Sequence, residues 1–446
     1  MTEAEPLERP EPLAPPASPA PEGGGAPESG GAWAGAAPAA EPSGGVGSFA
    51  AMWEQLAPIG RDARTGGYRR HAWTPVDGEL REWFRVQALA RGLTHEVDRN
   101  GNQWAWLGDP TAGDAVVTGS HLDSVPNGGA FDGPLGVVSA FAALDELRAR
   151  GRTGRRPLGV VAFADEEGAR FGVACVGSRL AVGALEPERA RALTDADGVT
   201  LADAMLSAGH DPEGLGPDPE RLRRVGVFVE LHIEQGRALA ELDRPVGVGS
   251  LIWPHGRWRF DFTGEANHAG TTRLTDRRDP MLSYAHTVLA ARKRARLAGA
   301  LATFGKVTVE PGGVNAIPSR VSGWLDARAP DGPTLTELVA AIQAGAAERA
   351  ARDGVELAVT RESHTGAQWF TPALRDSVAA RLDDAPVLPT GAGHDAGVLS
   401  AVVPTAMLYV RNPTGVSHAP AEHADQRDCL AGVAALAEVL EGLVCR

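Results

Sequence analysis

Histidine and carboxylate residues follow several apolar runs of the sequence, at the point where each run ends. His121 and Asp123 come directly after the run 114–120, and the pair Glu166-Glu167 follows the run 157–164. Imidazole and carboxylate groups together suit a hard or borderline divalent ion such as Zn²⁺, Mn²⁺ or Co²⁺. These residue types therefore raise the possibility of metal-assisted chemistry at the ends of predicted strands.

The same arrangement occurs twice more along the chain. His232 follows the apolar run 225–231, and His418 follows the run 404–410 by a short loop. Open α/β sheets bind their ligands outside the carboxyl ends of the strands, so residues that follow parallel strands meet at one edge. A single histidine or acidic pair at such a place is usually a solvated turn. Histidines or acidic pairs at the ends of four predicted strands favour a shared functional site.

The local spacing suggests roles for three acidic residues. Asp123 stands two positions beyond His121, on the same side of an extended chain, where it can orient a metal-bound imidazole. Asp132 is flanked by glycine just before a predicted helix, and taken alone it is equally well read as a helix cap. Two ions that share a carboxylate polarise both a water and a carbonyl, and a nearby carboxylate must then accept the proton of the water. Glu166 is the candidate for that base.

The elements that must position these residues form an α/β pattern. Residues 134–150 predict a helix, with Pro134 in its first turn, and continuous apolar strands before and after it indicate a largely parallel sheet covered on both faces. A second segment, 247–364, has strands that alternate polar and apolar residues, as expected of a sheet with one solvated face. Its predicted strands are 257–263, 303–309, 321–328 and 356–361, and its predicted helices are 279–297 and 334–352.

The apolar run 404–410 resembles the strands of the first segment. The sequence therefore predicts a catalytic domain made of residues 48–246 and 365–446, with a smaller α/β lid domain, 247–364, inserted into it. Residues 1–47 are mostly Ala, Pro and Gly with few large apolar side chains, a composition typical of a disordered tail.

Composition excludes several classes of protein. The 43 Lys and Arg against 57 Asp and Glu give a net charge of −14, which disfavours nucleic-acid and anionic-membrane binding. No apolar stretch is long enough to span a bilayer, and the N-terminus does not resemble a secretory signal. Three cysteines, at positions 175, 429 and 445, are too few for a disulfide framework. We expect a cytoplasmic protein, and if its substrate is an anion, a few local cations must hold it.

The motifs resemble those of a known family. The chain is similar to the amidase branch of the dinuclear-metal M20 peptidase superfamily, which includes allantoate amidohydrolases, N-carbamoyl-L-amino acid hydrolases and β-ureidopropionases. The matching stretches are Ser120-His-Leu-Asp-Ser-Val-Pro, Gly128-Gly-Ala-Phe-Asp-Gly, Glu166-Glu-Gly-Ala-Arg-Phe, Glu230-Leu-His-Ile-Glu-Gln-Gly, Gly264-Glu-Ala-Asn-His-Ala-Gly, Gly312-Gly-Val-Asn-Ala-Ile-Pro-Ser, Gly391-Ala-Gly-His-Asp-Ala and Ser417-His. They run in family order through nearly all of the predicted folded chain.

The resemblance implies a dinuclear-metal aminopeptidase-like catalytic domain with two divalent ions in each subunit, Zn²⁺ or Mn²⁺, with Co²⁺ possible. The residues implied as ligands of one ion are His121, Asp132 and His232, and those of the other are Asp132, Glu167 and His418. The implied general base is Glu166. Peptidase members commonly have an acidic residue where His232 stands, so this histidine points to the amidase branch.

The resemblance also implies roles for the lid. His268, Asn315 and Arg328 match residues that bind the carboxylate of the substrate and polarise its carbonyl, and Gln235 matches a further contact. In many relatives the lid forms a homodimer, and the lid histidine serves the neighbouring site. Without the resemblance, Asn315 reads as a turn former and His268 as a loop residue. Arg328 could grip a carboxylate with its bidentate fork, or be an ordinary surface charge.

Together these observations predict a hydrolase that cleaves a ureido or carbamoyl C–N bond in a small carboxylate substrate. Residues 254–258, Pro-His-Gly-Arg-Trp, and the wording of the motifs favour allantoate. The alternatives are an N-carbamoyl-L-amino acid or 3-ureidopropionate, then a dipeptidase or aminoacylase substrate. A non-catalytic binding protein of the same fold is the rival from another class, and it predicts the loss of a ligand or of the base. None is missing from the sequence.

Overall fold

The computed structural model describes residues 47–152 and 154–445, so nearly all of the predicted tail 1–47 lies outside the described residues. The helices in this part of the chain are α1 (Phe49–Leu56), α2 (Pro75–Ala90), α3 (Pro134–Ala149), α4 (Val176–Ala181), α5 (Pro187–Arg191), α6 (Leu201–Ser207), α7 (Pro219–Leu222), α8 (Ala238–Glu241), α9 (Pro280–Leu297), α10 (Gly332–Asp353), α11 (Pro372–Arg381), α12 (Asp395–Leu399) and α13 (Gln426–Val444).

The strands fall into one large sheet, one four-stranded sheet and one short pair. They are β1 (Thr94–Val97), β2 (Gln103–Leu107), β3 (Ala115–His121), β4 (Leu158–Phe163), β5 (Val225–Ile233), β6 (Val246–Ile252), β7 (His255–Thr263), β8 (Asn267–His268), β9 (Leu301–Glu310), β10 (Ala316–Ile317), β11 (Arg320–Arg328), β12 (Glu356–Thr365), β13 (Gln368–Trp369), β14 (Val387–Thr390) and β15 (Thr405–Val410).

The large sheet has the strand order β1-β2-β4-β3-β5-β15-β6-β13, with β14 added alongside β6. Its four central strands, β4, β3, β5 and β15, are mutually parallel. They are also the four apolar runs identified in the sequence, and every residue of β3, β4 and β15 is buried. The prediction of an α/β fold with a parallel central sheet is therefore confirmed, although β1, β2, β6 and β13 pair in the antiparallel sense and only the outer strand β14 pairs parallel to β6.

Both faces of this sheet are covered, which explains why its strands are apolar on both sides. On one face, α3 and α13 pack together against side chains such as Leu231 and Leu408. On the other face a second cluster contains Trp104, Phe228 and Tyr409. The residues at the carboxyl ends of the central strands are thus held by a packed frame.

The inserted segment forms a separate antiparallel sheet with the strand order β12-β7-β11-β9. Helices α9 and α10 cover one face of it, around Phe260, Leu325 and Ile342. The bounds predicted for this segment need a correction, because β6 pairs with β15 of the large sheet. The chain changes sheets only at residues 253–254. The alternating apolar pattern of β6 also suits a strand near the margin of the large sheet, so the sequence did not mark this boundary. No helix of the described residues has the length and apolarity needed to cross a bilayer.

Candidate active site

The residues predicted as ligands of the first ion converge at the carboxyl ends of the central strands. His121 ends β3 and His232 lies near the end of β5, while Asp132 stands just before α3. The Nε2 atoms of His121 and His232 lie 3.5 and 3.1 Å from Asp132 Oδ1. All three side chains are buried, and their ligand atoms are close enough together to hold one ion.

The residues predicted for the second ion meet at the other oxygen of the same carboxylate. His418 Nε2 lies 3.3 Å from Asp132 Oδ2 and 3.7 Å from Glu167 Oε2. The side chain of His418 is 52% exposed, whereas that of His121 is 1% exposed, so the second set is the more accessible to solvent. Asp132 stands between the two sets, as expected of a bridging ligand. We refer to His121, Asp132, Glu167, His232 and His418 as the ligand cluster.

The Nδ1 atoms of the two buried imidazoles are hydrogen-bonded to carbonyl oxygens of the main chain. His121 Nδ1 lies 3.1 Å from the carbonyl oxygen of Asp123, and His232 Nδ1 lies 2.9 Å from that of Ile233. A carbonyl can only accept, so both Nδ1 atoms donate, which leaves the Nε2 atoms on the side of Asp132 as the ligand atoms. The Asp123 carboxylate is slightly farther from His121, at 3.5 Å. The backbone oxygen of Asp123 therefore orients this ring more directly than the predicted carboxylate does.

These atoms fit a pair of divalent ions. Within the described residues, the Nε2 atoms of His121 and His232 and Oε1 of Glu167 are buried without a hydrogen bond of acceptable geometry. Buried polar atoms nearly always have a hydrogen-bond partner, so a concentration of unpaired nitrogen and oxygen atoms is typical of a metal-binding site. The mixture of imidazole and carboxylate atoms suits the borderline divalent metals proposed from the sequence.

A close backbone approach brings Asp132 and His121 together. Gly133 has φ +85°, a conformation that favours glycine, and a Cβ atom there would lie 2.4 Å from Cε1 of the His121 ring. Pro134 then occupies the first turn of α3. The glycine and proline after Asp132 thus place the carboxylate beside the ring and begin the helix immediately behind it.

Burial and neighbouring charges shift the titration of the cluster. Burial, together with the neighbouring Asp132, raises the pKa of Glu167 to about 7. The pKa of Glu166 is likewise well above its ordinary value because the side chain is buried. The hydrogen bond to Asp132 raises the pKa of His418 to about 9. Several buried carboxylates at one place also favour a bound cation.

Several polar residues around the cluster were not assigned a role from the sequence. Glu422 Oε1 accepts hydrogen bonds from the backbone N–H groups of Phe131 and Asp132, at 2.9 and 3.0 Å, and so fixes the loop that carries Asp132. Nothing in the local sequence pointed to it. Glu230 is fully buried in β5, and it accepts from Ser120 Oγ at 2.7 Å and from the N–H of Ala396 at 2.9 Å. A carboxylate within an apolar strand was the signal available for Glu230.

His394 also lies beside the cluster. Its ring centroid is 4.4 Å from that of His232, and its side chain is buried. Burial and the neighbouring imidazole hold the pKa of His394 well below its ordinary value. A neutral His394 thus packs behind His232, in the Gly391-Ala-Gly-His-Asp-Ala stretch noted in the sequence.

A cavity of about 730 Å³ opens over the ligand cluster, between the catalytic domain and the lid. We name it the central cleft. Glu166, Glu167 and His418 line its floor, and Arg328 and Arg257 line its lid side. Gln235, at the same border, donates a hydrogen bond from Nε2 to Asp132 Oδ2 at 2.8 Å. The proposed base, three residues of the ligand cluster and two lid cations therefore face one space.

Arg328 is held in place by its neighbours in the lid and in the loop after β14. Its Nε and Nη2 donate to Asp326 at 2.8 and 3.2 Å, and its Nη1 donates to the carbonyl oxygen of Gly391. A guanidinium has five N–H donors, so these three bonds leave two, one on each terminal nitrogen. The remaining pair matches the two oxygens of a carboxylate.

His268 and Asn315 are not brought to the cluster of their own chain. Both are exposed, and neither lines the central cleft. They lie beside each other, since β8 and β10 pair at His268 and Ala316. His268 Nδ1 accepts hydrogen bonds from the N–H groups of Gly270 and Thr271, at 3.0 and 3.2 Å, so its proton is on Nε2. The ring therefore presents a donor to solvent.

The fold and the site together define a class. A parallel central sheet whose strand ends carry two ligand sets joined by one aspartate, beneath an inserted lid, is the architecture of a dinuclear-metal α/β hydrolase. Residues 117–442 match the model of peptidase family M20/M25/M40. The chain belongs to this family, and it is a hydrolase of the amidohydrolase type.

Its relatives carry names that agree with this class. The chain is 37% identical to the N-carbamoyl-L-amino acid amidohydrolase of Geobacillus stearothermophilus, an alignment that covers 87% of this chain and 96% of the relative. It is 32% identical to the allantoate amidohydrolase of Escherichia coli (strain K12), with 86% and 95% covered. Among solved structures, a hydantoinase/carbamoylase family amidase from Burkholderia vietnamiensis superposes with a TM-score of 0.80 at 31% identity, with 90% and 98% covered.

Proposed function

We propose that this protein hydrolyses the C–N bond of a ureido or carbamoyl group in a small substrate that carries a carboxylate. The observation that carries the proposal is the placement of Glu166, Arg328 and the shared ligand Asp132 around one cleft. The ligand cluster supplies two metal sites that share Asp132. The names of the relatives support the same reaction class.

The residues that would hold two divalent ions, Zn²⁺ or Mn²⁺ with Co²⁺ possible, are those of the ligand cluster. Such ions, when bound, polarise the attacking water and the carbonyl of the scissile group. The chain contributes the geometry. Gln235 donates to Asp132 and so fixes the shared carboxylate, and the two buried histidines are oriented by backbone carbonyls.

Glu166 is proposed to move the proton. It lines the central cleft, and its Oε2 lies 3.7 Å from His121 Nε2, at the edge of the first ligand set. In the proposed reaction it accepts a proton from the attacking water and delivers it to the nitrogen that leaves, so that water adds across the C–N bond. The released carbamic acid then breaks down to CO₂ and NH₃.

Arg328 is proposed to bind the carboxylate of the substrate through its two remaining N–H groups. Asp326 is shared with Arg257, whose Nε lies 3.6 Å away, and the lid side of the cleft thus carries two arginines beside the carboxylates of Asp326 and Glu362. In a chain with a net charge of −14, a guanidinium that keeps free N–H groups gives an anion a favourable place to bind.

A homodimer formed through the lid is proposed to complete the site. Among the described strands, β9 pairs only with β11, which leaves its other edge open. Beside it, α9 exposes Leu282, Leu289 and Leu297, which lie on one side of the helix. Pairing of two lids along this edge would bury both features. His268 and Asn315, which do not reach their own cleft, are proposed to serve the site of the partner subunit.

The decisive assay measures ammonia release by the Mn²⁺-loaded protein from allantoate, N-carbamoyl-L-amino acids and 3-ureidopropionate in parallel. We expect release from at least one of them, with loss of release in Glu166→Gln. The motif wording favours allantoate, whereas the relative of higher identity reported above is named for N-carbamoyl-L-amino acids. Cleavage of dipeptides or N-acyl amino acids alone would instead contradict the ureido substrate class.

A further inference from the structure

A thiol contacts the carboxylate of the proposed base. Cys175 Sγ lies 3.3 Å from Glu166 Oε1, and both side chains are buried. The other oxygen of the same carboxylate, Oε2, lies 3.7 Å from His121 Nε2. The two oxygens of Glu166 therefore have different neighbours, because Oε1 faces the thiol and Oε2 faces the first ligand set.

The thiol is the donor in this contact. An ionised carboxylate can only accept a hydrogen bond, whereas an S–H group is a weak donor. Burial, together with the charge of Glu166, raises the pKa of the Cys175 thiol well above its ordinary value, so the thiol keeps its proton. Among the side-chain hydrogen bonds of the described residues, this is the one that the carboxylate of Glu166 accepts.

Backbone hydrogen bonds hold the two residues opposite each other. Three of them join segment 175–177 to segment 164–166. They run from the N–H of Cys175 to the carbonyl oxygen of Glu166 at 2.6 Å, from Val176 to Asp165 at 3.0 Å and from Gly177 to Ala164 at 2.9 Å. Residues 167–174 thus form a closed loop, part of which lines the central cleft, and Cys175 and Glu166 are the pair that closes it.

The backbone of Cys175 adopts a conformation that favours glycine. Its φ is +55° and its ψ is +42°, in the left-handed region. A residue with a side chain adopts this conformation at a cost in free energy, because its Cβ atom comes too close to the following carbonyl oxygen. Glycine would make the same turn without that cost, but it would leave Glu166 Oε1 without the thiol. A side chain kept at such a position indicates that the side chain itself has a use.

Resting on the proposed function, we infer that Cys175 is a positioning residue for the base: its thiol holds Glu166 Oε1 and so keeps Oε2 directed at the first ligand set. A carboxylate rotates easily about the last bond of its side chain, and rotation would carry Oε2 away from the ligands. Proton transfer requires the accepting oxygen to be within hydrogen-bond reach of the attacking water. In this arrangement Oε2 accepts the proton of the water, and the thiol proton stays on sulfur.

The test compares Cys175→Ala, Cys175→Gly and Cys175→Ser in the full-length, Mn²⁺-loaded protein. Loss of the thiol frees the carboxylate without removing a contact to substrate or metal. The alanine and glycine variants should therefore lose about tenfold in kcat, with KM and metal content unchanged. Serine keeps a donor and should recover most of the loss. The control is Cys429→Ala, because Cys429 is also buried but lies in α13 and does not line the central cleft.

The glycine variant separates positioning from a purely structural role. Glycine at φ +55° relieves the backbone, so Cys175→Gly should unfold at a temperature no lower than that of Cys175→Ala. If Cys175 served only the turn, the glycine variant would keep the wild-type kcat. Wild-type kcat in the glycine or alanine variant would therefore overturn the inference, as would a serine variant without recovery.

An infrared measurement tests the hydrogen bond without relying on activity. The S–H stretching band falls in frequency as the hydrogen bond of the thiol strengthens. With Cys429 and Cys445 replaced by alanine, only Cys175 contributes to this band. Glu166→Gln should then move the band to higher frequency, because an amide oxygen is a weaker acceptor than a carboxylate.

The outcomes distinguish the inference from the proposed function. An S–H band that Glu166→Gln does not move would overturn the inference, while ammonia release from a ureido substrate would leave the proposed function intact. A band that moves in a protein that releases no ammonia from any ureido substrate would refute the proposed function, and the positioning role with it, although the contact exists.

Discussion

The side-chain carboxylate of Asp123 holds the main chain at Glu167: Asp123 Oδ2 accepts a hydrogen bond from the backbone N–H of Glu167 at 3.0 Å. The other oxygen of the same carboxylate accepts the N–H of Glu166 at 3.2 Å. Asp123 therefore fixes the main chain of the proposed base and of a proposed metal ligand at once, while its own carbonyl orients His121. Because both acidic residues depend on this one carboxylate, small changes at Asp123 should affect the metals and the base together.

The role of Glu166 is tested by Glu166→Gln. The amide keeps the size of the side chain but cannot accept the proton, so kcat should fall about 100- to 10,000-fold while metal content is retained. Steady-state assays and elemental analysis of the same preparation measure both. Glu213→Gln, at an exposed position away from the cleft, is the control. Wild-type turnover in Glu166→Gln would remove this residue from the proposed mechanism.

Metal content should follow the two ligand sets. His418→Ala removes a ligand from the exposed set alone and should leave one ion per chain after dialysis. Asp132→Asn weakens both sets, because Asp132 belongs to each of them, and should leave none. Plasma mass spectrometry gives the counts. His364→Ala, which lines the cleft without belonging to the ligand cluster, should keep the wild-type content. Equal content in all three variants would refute the shared-carboxylate assignment.

Carboxylate recognition is tested by Arg328→Ala. Hydrogen bonds to a charged group contribute about 1.5–3 kcal/mol, so KM for a carboxylate substrate should rise roughly 10- to 150-fold. An amidated analogue of the same substrate should be affected far less. Arg257→Ala is the control, since Arg257 faces the same cleft and also contacts Asp326. An equal rise for the acid and for the amide would contradict the assignment.

The stability of the lid should depend on Asp261 in acid. Burial alone would raise the pKa of this carboxyl, but hydrogen bonds from Ser322, Arg320 and Arg259 lower it below its ordinary value. A lowered pKa means that the contribution to stability is complete above about pH 4 and is lost as the pH falls through the folded-state value.

Asp261→Asn should therefore destabilise the protein at pH 7 by about 1.5–3 kcal/mol, the typical contribution of hydrogen bonds to a charged group. The difference from the wild type should shrink as the pH is lowered below about 4. Thermal unfolding of the two proteins at several pH values measures it. Asp197→Asn, at an exposed position, should show no such trend. A difference that does not vary with pH would mean that packing, and not charge, explains the loss.

The proposed dimer predicts a particle of twice the 46.4 kDa chain mass in sedimentation experiments. Leu289, on the exposed side of α9, is 68% exposed. Leu289→Arg should weaken association and lower activity in parallel, because His268 then no longer reaches the neighbouring site. Leu430→Arg places the same charge on an exposed position of α13 and should change neither property. A fully active monomer would refute the shared site.

The sequence by itself determined that histidine and carboxylate residues meet at one edge of a parallel sheet, whereas Asp132 and Glu167 were singled out as ligands only by the resemblance to a family. Apolar runs must be buried, parallel strands must align their carboxyl ends, and His121, Glu167, His232 and His418 follow such runs, so their convergence could be predicted. The inserted sheet was also readable, because strands with one solvated face alternate polar and apolar residues. Its first boundary was misplaced, within β6, and its last strand, β12, runs one residue beyond the predicted end of the segment, to Thr365.

The tertiary structure decided what depends on contacts between distant segments. Glu422 reaches the Asp132 loop from the far end of the chain, and Asp326 occupies one edge of Arg328, yet neither contact leaves a periodic signal in the sequence. The central cleft exists only where the catalytic domain and the lid meet. Local pattern fixes which face of an element is buried, whereas the shape of the space between elements is set by how they pack together.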